Sequence, residues 1–308
     1  MKEILSDQSI SNAQNSLRIL NCYGNYQAVH PKVIYFKNGW NGYKFWMAYT
    51  PYPYGNDFYE NPCIAVSNDM INWEDPFSIN PLDFVSQNGN MHLSDTHLVY
   101  REDLNSMECW YRFRNKKTKE EKFYRRITRC GRNWTKPEVV FNCNDFNEIL
   151  LALSPVVLYE NDKYKMWLVN QDYKIIYLES NDCSTWKIHG RVNINFENDK
   201  NYTPWHMDIV HTKKGYEMIV VPIYAGRFEK MNLHYTKGKN EVEFELAREI
   251  MKPSTDEKAW DNALLYRASL IIYEGEYYLF YSAENKSNEW HIGLSKGKDI
   301  FNIQGCSI

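Results

Sequence analysis

Ser67-Asn68-Asp69-Met70-Ile71-Asn72-Trp73 and Ser180-Asn181-Asp182-Cys183-Ser184-Thr185-Trp186 are two copies of one ending, Ser-Asn-Asp-x-x-x-Trp. A looser copy, Arg129-Cys130-Gly131-Arg132-Asn133-Trp134, lies between them. Upstream of each runs an aromatic stretch: Tyr43-Lys44-Phe45-Trp46-Met47-Ala48-Tyr49, Cys109-Trp110-Tyr111-Arg112-Phe113 and Tyr164-Lys165-Met166-Trp167-Leu168. Before that comes a short apolar strand: Val33-Ile34-Tyr35, Leu98-Val99-Tyr100 and Val156-Val157-Leu158-Tyr159. Two more copies start at Ile209-Val210-His211 and Leu270-Ile271-Ile272-Tyr273, and keep only Tyr235-Thr236-Lys237-Gly238 and Leu294-Ser295-Lys296-Gly297 of the ending. Five strand-built repeats with a period of roughly 50 to 60 residues predict an all-β chain, a five-bladed β-propeller with one sheet per blade.

The blades are expected at about 27–90, 91–145, 146–203, 204–256 and 260–308 within a single domain. No linker rich in Gly, Pro or Ser divides the 308 residues. Ser16-Leu17-Arg18-Ile19-Leu20-Asn21-Cys22 could be a strand that joins the last blade and closes the ring, which would remove two unpaired sheet edges. Residues 1–15 read as a loose polar arm. Only Glu241 to Met251 leaves helix and strand both open, and Val242-Glu243-Phe244-Glu245-Leu246 alternates as a strand does.

Composition narrows the function classes. A net charge of -3 argues against a nucleic-acid footprint, and no apolar run is long enough for a membrane span. Twenty-four Tyr and ten Trp exceed what a core alone needs, and fit half-buried strands and sugar-stacking surfaces equally. The seven Cys are scattered without CxxC spacing, so neither a zinc ribbon nor a redox motif is supported. The first residues carry acid and no apolar core, so a secretory signal is not expected and the chain reads as cytoplasmic. Non-classical release, or a place on a phage particle, is compatible with the same residues.

In a propeller the first strand of each blade lines the central channel, and the residues that lead into it meet at one mouth. Counting five back from the end of each first strand aligns His30, Asp95, Ser154, His206 and Ala268, with Arg267 one residue earlier. Four polar residues in five equivalent places are a natural ligand site. Pro31 and Pro155 follow two of them, where a missing N–H is tolerated.

This layout resembles the five-bladed β-propeller glycoside hydrolases, the arabinanase/xylosidase and invertase-like group, with relatives acting on mannosides and anhydrosugars. The blade pattern and the Ser-x-Asp-x-x-x-Trp endings carry the resemblance over nearly the whole chain. It implies a catalytic Asp in blade one, an Asp in blade two, a Glu acid in blade three, an axial His in blade four and an Arg near blade five. By position Asp95, His206 and Arg267 match. His30 and Ser154 depart, and two-carboxylate glycoside hydrolysis needs an acid opposite a second group. His30 could serve as base, because its ordinary pKa lies near neutrality. The acid would come from elsewhere: Glu148 before Ser154, Asp208 two residues after His206, or Glu60 in the loop Pro51 to Pro62.

The expected function is therefore a glycoside hydrolase acting on a poly- or oligosaccharide at the axial mouth. Catalytic candidates are Asp95, His30, Asp208, Glu148 and Glu60. Candidates for substrate binding are His206, Arg267, Ser154, Trp40, Tyr54 and Trp205. No cofactor is required; an axial metal ion on His30, His206 and Asp208 is a weaker alternative, because His-x-Asp alone is a poor signal. The partner is a carbohydrate, with no nucleic acid and no membrane. Each residue also has a plainer reading: Asp95 as a turn cap, His206 as a bonded core histidine, Arg267 as a salt bridge to the next blade, His92 and His97 as surface or inter-blade residues. Trp46, Trp110, Trp167 and Phe280 read as packing between blades, and Trp73, Trp134 and Trp186 as structural. The rival function is a non-catalytic glycan-binding propeller, which the missing carboxylates at His30 and Ser154 favour; a protein-interaction scaffold is third.

Overall fold

The computed structural model describes residues 11–85, 89–197 and 200–307. Five antiparallel sheets follow one another along the chain. The first holds β1 (Ala28–Trp40), β2 (Tyr43–Pro51) and β3 (Cys63–Ser67); the second β4 (Met91–Arg101), β5 (Ser106–Asn115), β6 (Glu120–Thr128) and β7 (Glu138–Asn142). The third holds β8 (Ala152–Glu160), β9 (Lys163–Asn170), β10 (Ile175–Ser180) and β11 (Lys187–Val192); the fourth β12 (Tyr202–Thr212), β13 (Gly215–Tyr224), β14 (Leu233–Gly238) and β15 (Arg248–Met251). The fifth holds β16 (Leu264–Tyr273), β17 (Glu276–Glu284), β18 (Trp290–Gly297) and β19 (Gln304–Gly305). The first strands touch in sequence, β1 to β4, β8, β12 and β16, and β16 returns to β1. The ring is closed and five-bladed.

The core lies between blades. Trp46, Trp110, Trp167 and Phe280, each on a second strand, have no exposed surface. The Glu241–Met251 stretch is extended, with bridges from Glu243 to Asn193 and from Ala247 to Phe196 ahead of β15. Ser16–Cys22 forms no ladder strand. Leu17 N donates to Ile292 O at 2.8 Å, and Leu17 and Ile19 are buried between the first and last blades.

The repeated ending is a turn built by its own side chains. Ser67 Oγ accepts from Met70 N, and Asp69 Oδ1 from Ile71 N and Asn72 N. Ser180 and Asp182 do the same for Cys183, Ser184 and Thr185. In the looser copy Thr128 Oγ1 and Cys130 Sγ take those two places. Such local bonds are why Ser and Asp recur in turns. The fourth residue of each turn, counted from Ser67, Ser180 and Thr128, is left-handed: φ is 69° at Met70, 65° at Cys183 and 70° at Gly131. Only Gly131 must be glycine, because a Cβ there would stand 2.2 Å from Cη2 of Trp46 in the neighbouring blade. Gly131→Ala is expected to cost about 2–4 kcal/mol by overpacking and backbone strain. Urea denaturation of the variant beside wild type measures it, and an unchanged midpoint would remove this contact from the account of blade packing.

Candidate active site

A kink repeated in the channel strands makes the mouth. In each first strand the ladder to the second strand breaks near the start. The break falls between Val29 and Lys32, Ser94 and His97, Leu153 and Val156, Pro204 and His206, and Leu265 and Ala268. The unpaired residues form β-bulges, which re-aim side chains. His30, Asp95 and Ser154 are the first bulge residues of blades one to three, and all are left-handed, with φ of 57°, 53° and 49°. Non-glycine residues hold that conformation only where the surroundings enforce it. Pro31 and Pro155 fall inside bulges, where no ladder N–H is needed. Blade four skips only Trp205, and blade five skips Tyr266 and Arg267. The five-back alignment therefore drifts: Ala268 pairs with Tyr281 and is packed in the core, and Tyr266 with Arg267 takes the bulge in blade five.

A cavity of about 350 Å³ opens over these bulges. Its polar floor is His30, Glu60, His92, Ser94, Asp95, Arg112 and His206. Its walls include Tyr52, Leu153, Trp205, Phe228, Met231, Tyr266 and Trp290. Asp95 is the centre. Its Oδ1 lies 3.2 Å from Arg267 Nη1 and 3.6 Å from both His30 Nε2 and His206 Nδ1, and its Oδ2 lies 3.5 Å from Arg112 Nη1. Burial alone would raise its pKa; the two histidines and two arginines outweigh burial and hold the carboxyl far below the usual range. It is an anion at any working pH and a poor proton donor.

The histidines are the reverse case. Burial lowers the pKa of His30 to about 3 and that of His206 well below its ordinary value, helped by the nearby arginines. Both rings are neutral. Thr50 Oγ1 holds His30 Nδ1 at 2.8 Å. His30 Nε2 and both His206 nitrogens are buried with no hydrogen-bond partner. One ligand atom from each of His30, Asp95 and His206 lies within 4.8 Å of the others, so the three could hold a metal ion. Two neutral imidazoles and one carboxylate suit a catalytic divalent cation with open positions, and Thr50 supplies the outer bond that such histidines use.

Glu60 is the one carboxyl on the floor poised to exchange a proton. Burial pushes its pKa well above the usual value, with the charges of Asp95 and Asp57 adding to the effect. It stands 3.4 Å from His30 Nδ1 and 3.9 Å from His92 Nε2. His92 is held neutral by burial, with its pKa lowered to about 4, and reaches Asp57 at 3.8 Å.

The other sequence candidates lie outside this floor. Asp208 is buried below it: Oδ1 accepts from Lys32 Nζ at 2.6 Å and Oδ2 from Leu270 N at 2.9 Å. Ser154 Oγ accepts from Met207 N and joins blade three to blade four. Arg267 bonds Asp95 and Pro155 O across the channel and acts on the carboxylate, not at the cavity surface. His97 Nε2 contacts the Val157 backbone and is inter-blade, as its plainer reading has it. Glu148 is exposed and paired with Arg191. Trp40 is at the opposite end of β1, its Nε1 bonded to Asn105. Tyr54 is exposed beside Asn288, and its neighbour Tyr52 lines the cavity in its place. Trp205 lines it as expected. Sequence reasoning missed Arg112, on a second strand where aromatic packing dominates, and did not assign Tyr266 or Glu284; the Leu-Tyr-Arg bulge was the available signal for Tyr266.

No family model matches the chain. It is 25% identical over 317 residues to an A type blood N-acetyl-α-D-galactosamine deacetylase of Flavonifractor plautii, covering 88% of this chain. The chain spans about 40% of the length of that relative. Among solved structures, an N-acetylgalactosamine deacetylase from F. plautii in complex with blood group B trisaccharide superposes with a TM-score of 0.84 at 21% identity, covering 94% of this chain and 95% of that one. A member of the GH130 family of mannoside phosphorylases, which contains glycoside hydrolases that target β-1,2 mannosidic linkages in Candida mannan, gives 0.59 at 12% identity over 94% and 92%. The expected five-bladed propeller is shared with glycosidase-type folds, while the matching sequence relative is a deacetylase, not a glycoside hydrolase.

The Lys32–Asp208 pair tests the division between floor and foundation. Losing one partner leaves a buried unpaired charge, so Lys32→Met is expected to cost about 3–5 kcal/mol in stability. Lys32→Met combined with Asp208→Leu should regain most of the loss. Chemical denaturation of the two variants reads the difference; equal losses would mean the pair is not a coupled unit.

Proposed function

We propose that this chain is a carbohydrate N-deacetylase that hydrolyses the acetamido group of an N-acetylhexosamine bound at the axial mouth. One observation carries the reading: of the carboxyl groups lining the cavity, Glu60 alone touches His30 with its pKa raised by burial, while Asp95 is held as an anion, Asp57 is paired with Lys116 and Glu284 lies on blade five. Glycoside hydrolysis needs two carboxyl groups in separate roles. Here Asp95 is kept ionised by its histidine and arginine neighbours and is a poor acid, and blade three offers Ser154 bonded to backbone. Amide hydrolysis needs one group that moves a proton and a stabiliser for the oxyanion of the tetrahedral intermediate. The deacetylase relative supports the same choice.

His30, Asp95 and His206 would hold a divalent cation, which supplies Lewis-acid polarisation and a more acidic water when bound. Glu60, as carboxylate, takes the proton of the attacking water as its oxygen bonds to the acetyl carbon. The same group returns that proton to the sugar nitrogen as the C–N bond breaks, giving acetate and the free amine. His92 sits against Glu60 and fixes where its carboxyl points. Arg112 and Arg267 keep Asp95 ionised and oriented. The aromatic walls receive the sugar ring.

The reading is tested on an aryl N-acetyl-α-D-galactosaminide by enzymatic assay of released acetate. Wild type is expected to release acetate and leave the glycosidic bond intact. Glu60→Gln and Asp95→Asn should each lower kcat/KM by about 10²–10⁴. Dialysis against a chelator should abolish turnover, and a divalent cation should restore it. Release of the aryl group without acetate would replace this reading with glycoside hydrolysis; binding without either product would favour the glycan-binding propeller.

A further inference from the structure

Four carboxyl groups line the cavity: Asp57, Glu60, Asp95 and Glu284. Three are partnered within the protein. Asp57 pairs with Lys116, Glu60 touches His30 and His92, and Asp95 is held by Arg112 and Arg267. Among the described residues, Glu284 has no ion pair and no side-chain hydrogen bond; its backbone oxygen accepts from Ala263 N and its backbone lies in the β17 ladders. Glutamates that lose water are usually paired, because an unpaired one forfeits solvation without return. Glu284 is partly buried, and burial is the whole cause of its raised pKa. A carboxyl left so at a cavity wall has its partner outside the chain.

Its place defines that partner. Glu284 ends β17, opposite Leu264 on one side and Trp290 on the other. Tyr52 is close enough to feel its charge, and packs edge-to-face on Trp290 at 5.2 Å. In the same cavity lining Trp205 meets Phe228 edge-to-face at 4.9 Å, and Phe228 is 58% exposed. The reacting groups come from blades one, two and four and from the loop that holds Glu60. Glu284 is on blade five and makes no ion pair with the Asp95 cluster. A carboxylate accepts two hydrogen bonds at once, and bonds from hydroxyls to an anion are short and strong. Aromatic walls and an unengaged acceptor together suit a neutral polyol, whose ring presents an apolar face and hydroxyl edges.

We propose that Glu284 is the specificity-determining residue of the cavity, accepting hydroxyl groups of the sugar ring whose substituent lies at the Glu60–His30 floor. This deepens the N-deacetylase reading and rests on it for the substrate class. It adds which edge of the sugar is recognised and by what. Glu284 takes no part in proton transfer, so its loss weakens binding and spares the chemical step.

The test uses the same aryl N-acetyl-α-D-galactosaminide with its 3-, 4- and 6-deoxy analogues. KM and kcat come from acetate release, and Kd from calorimetry. Glu284→Ala should raise KM and Kd about tenfold or more while kcat stays within about threefold. Glu284→Gln, which keeps an acceptor and the shape, should fall between. At least one deoxy analogue should bind wild type about tenfold more weakly yet pay no such penalty on Glu284→Ala. Thermal melts confirm that each variant is folded. Unchanged KM and Kd in Glu284→Ala, or deoxy penalties that persist in it, would overturn the assignment and leave deacetylation standing. If wild type binds without releasing acetate and Glu284→Ala loses binding, deacetylation fails and Glu284 stands. Failure of wild type to bind any of the four sugars would overturn both.

Discussion

The Asp95 carboxylate is the interaction on which the mouth depends. It is buried, and its four partners come from four different stretches of chain: His30 on β1, Arg112 on β5, His206 on β12 and Arg267 on β16. A buried anion is tolerated only when its field is answered at close range. Around the axis the charges balance by name: Lys32, Arg112 and Arg267 against Asp95, Asp208 and Glu121, all buried. Each cation has a short contact to an anion in the set, Lys32 to Asp208, Arg112 to Glu121 and Arg267 to Asp95. The ring is thus locked electrostatically across its channel as well as by packing between blades. Burial keeps the two imidazoles among these charges neutral, with His30 bonded to Thr50 and both His206 nitrogens without a hydrogen-bond partner.

The bulges explain how a repetitive sheet produces a site that is not repetitive. A regular first strand would point alternate side chains into the channel and into the blade. One or two unpaired residues break that alternation, and in four of the five blades a bulge residue lines the cavity: His30, Asp95, Trp205 and Tyr266. The chain then needs only to vary the residue at the kink. It uses histidine, aspartate, serine, tryptophan and tyrosine there, and so obtains different chemistry on one backbone plan. Ser154 illustrates the division of labour, because its hydroxyl is used to tie blade three to Met207 and offers nothing to the cavity.

Much of this was legible in the residues. The blade count followed from the repeated endings, because a turn held by its own Ser and Asp leaves a local signature. The packing roles of Trp46, Trp110 and Trp167 followed from their place on second strands. His30, Asp95, His206 and Arg267 emerged from internal alignment, and Glu60 from its loop. The limit was register. Four residues run from the end of the bulge to the strand-end residue counted from in blades one to three and six in blades four and five, so Ala268 aligned where Tyr266 and Arg267 belong. Asp208 shared a face with His206 by strand period, yet that face looks down the channel toward Lys32. Strand period gives the side of a sheet; it does not give the depth along an axis.

The two carboxyl groups nearest the histidines are held in different ways. Hydrolysis with two carboxyl groups requires both to stand at the height of the scissile bond, one on each side of the sugar. Here Asp95 is bound by two arginines, and Glu60, on the loop before β3, touches the other ring nitrogen of His30. The two carboxyl groups thus face opposite nitrogens of one imidazole, one held as an anion and the other with its pKa raised by burial. The proposed amide hydrolysis uses that asymmetry, a fixed charge on one side of His30 and a proton carrier on the other.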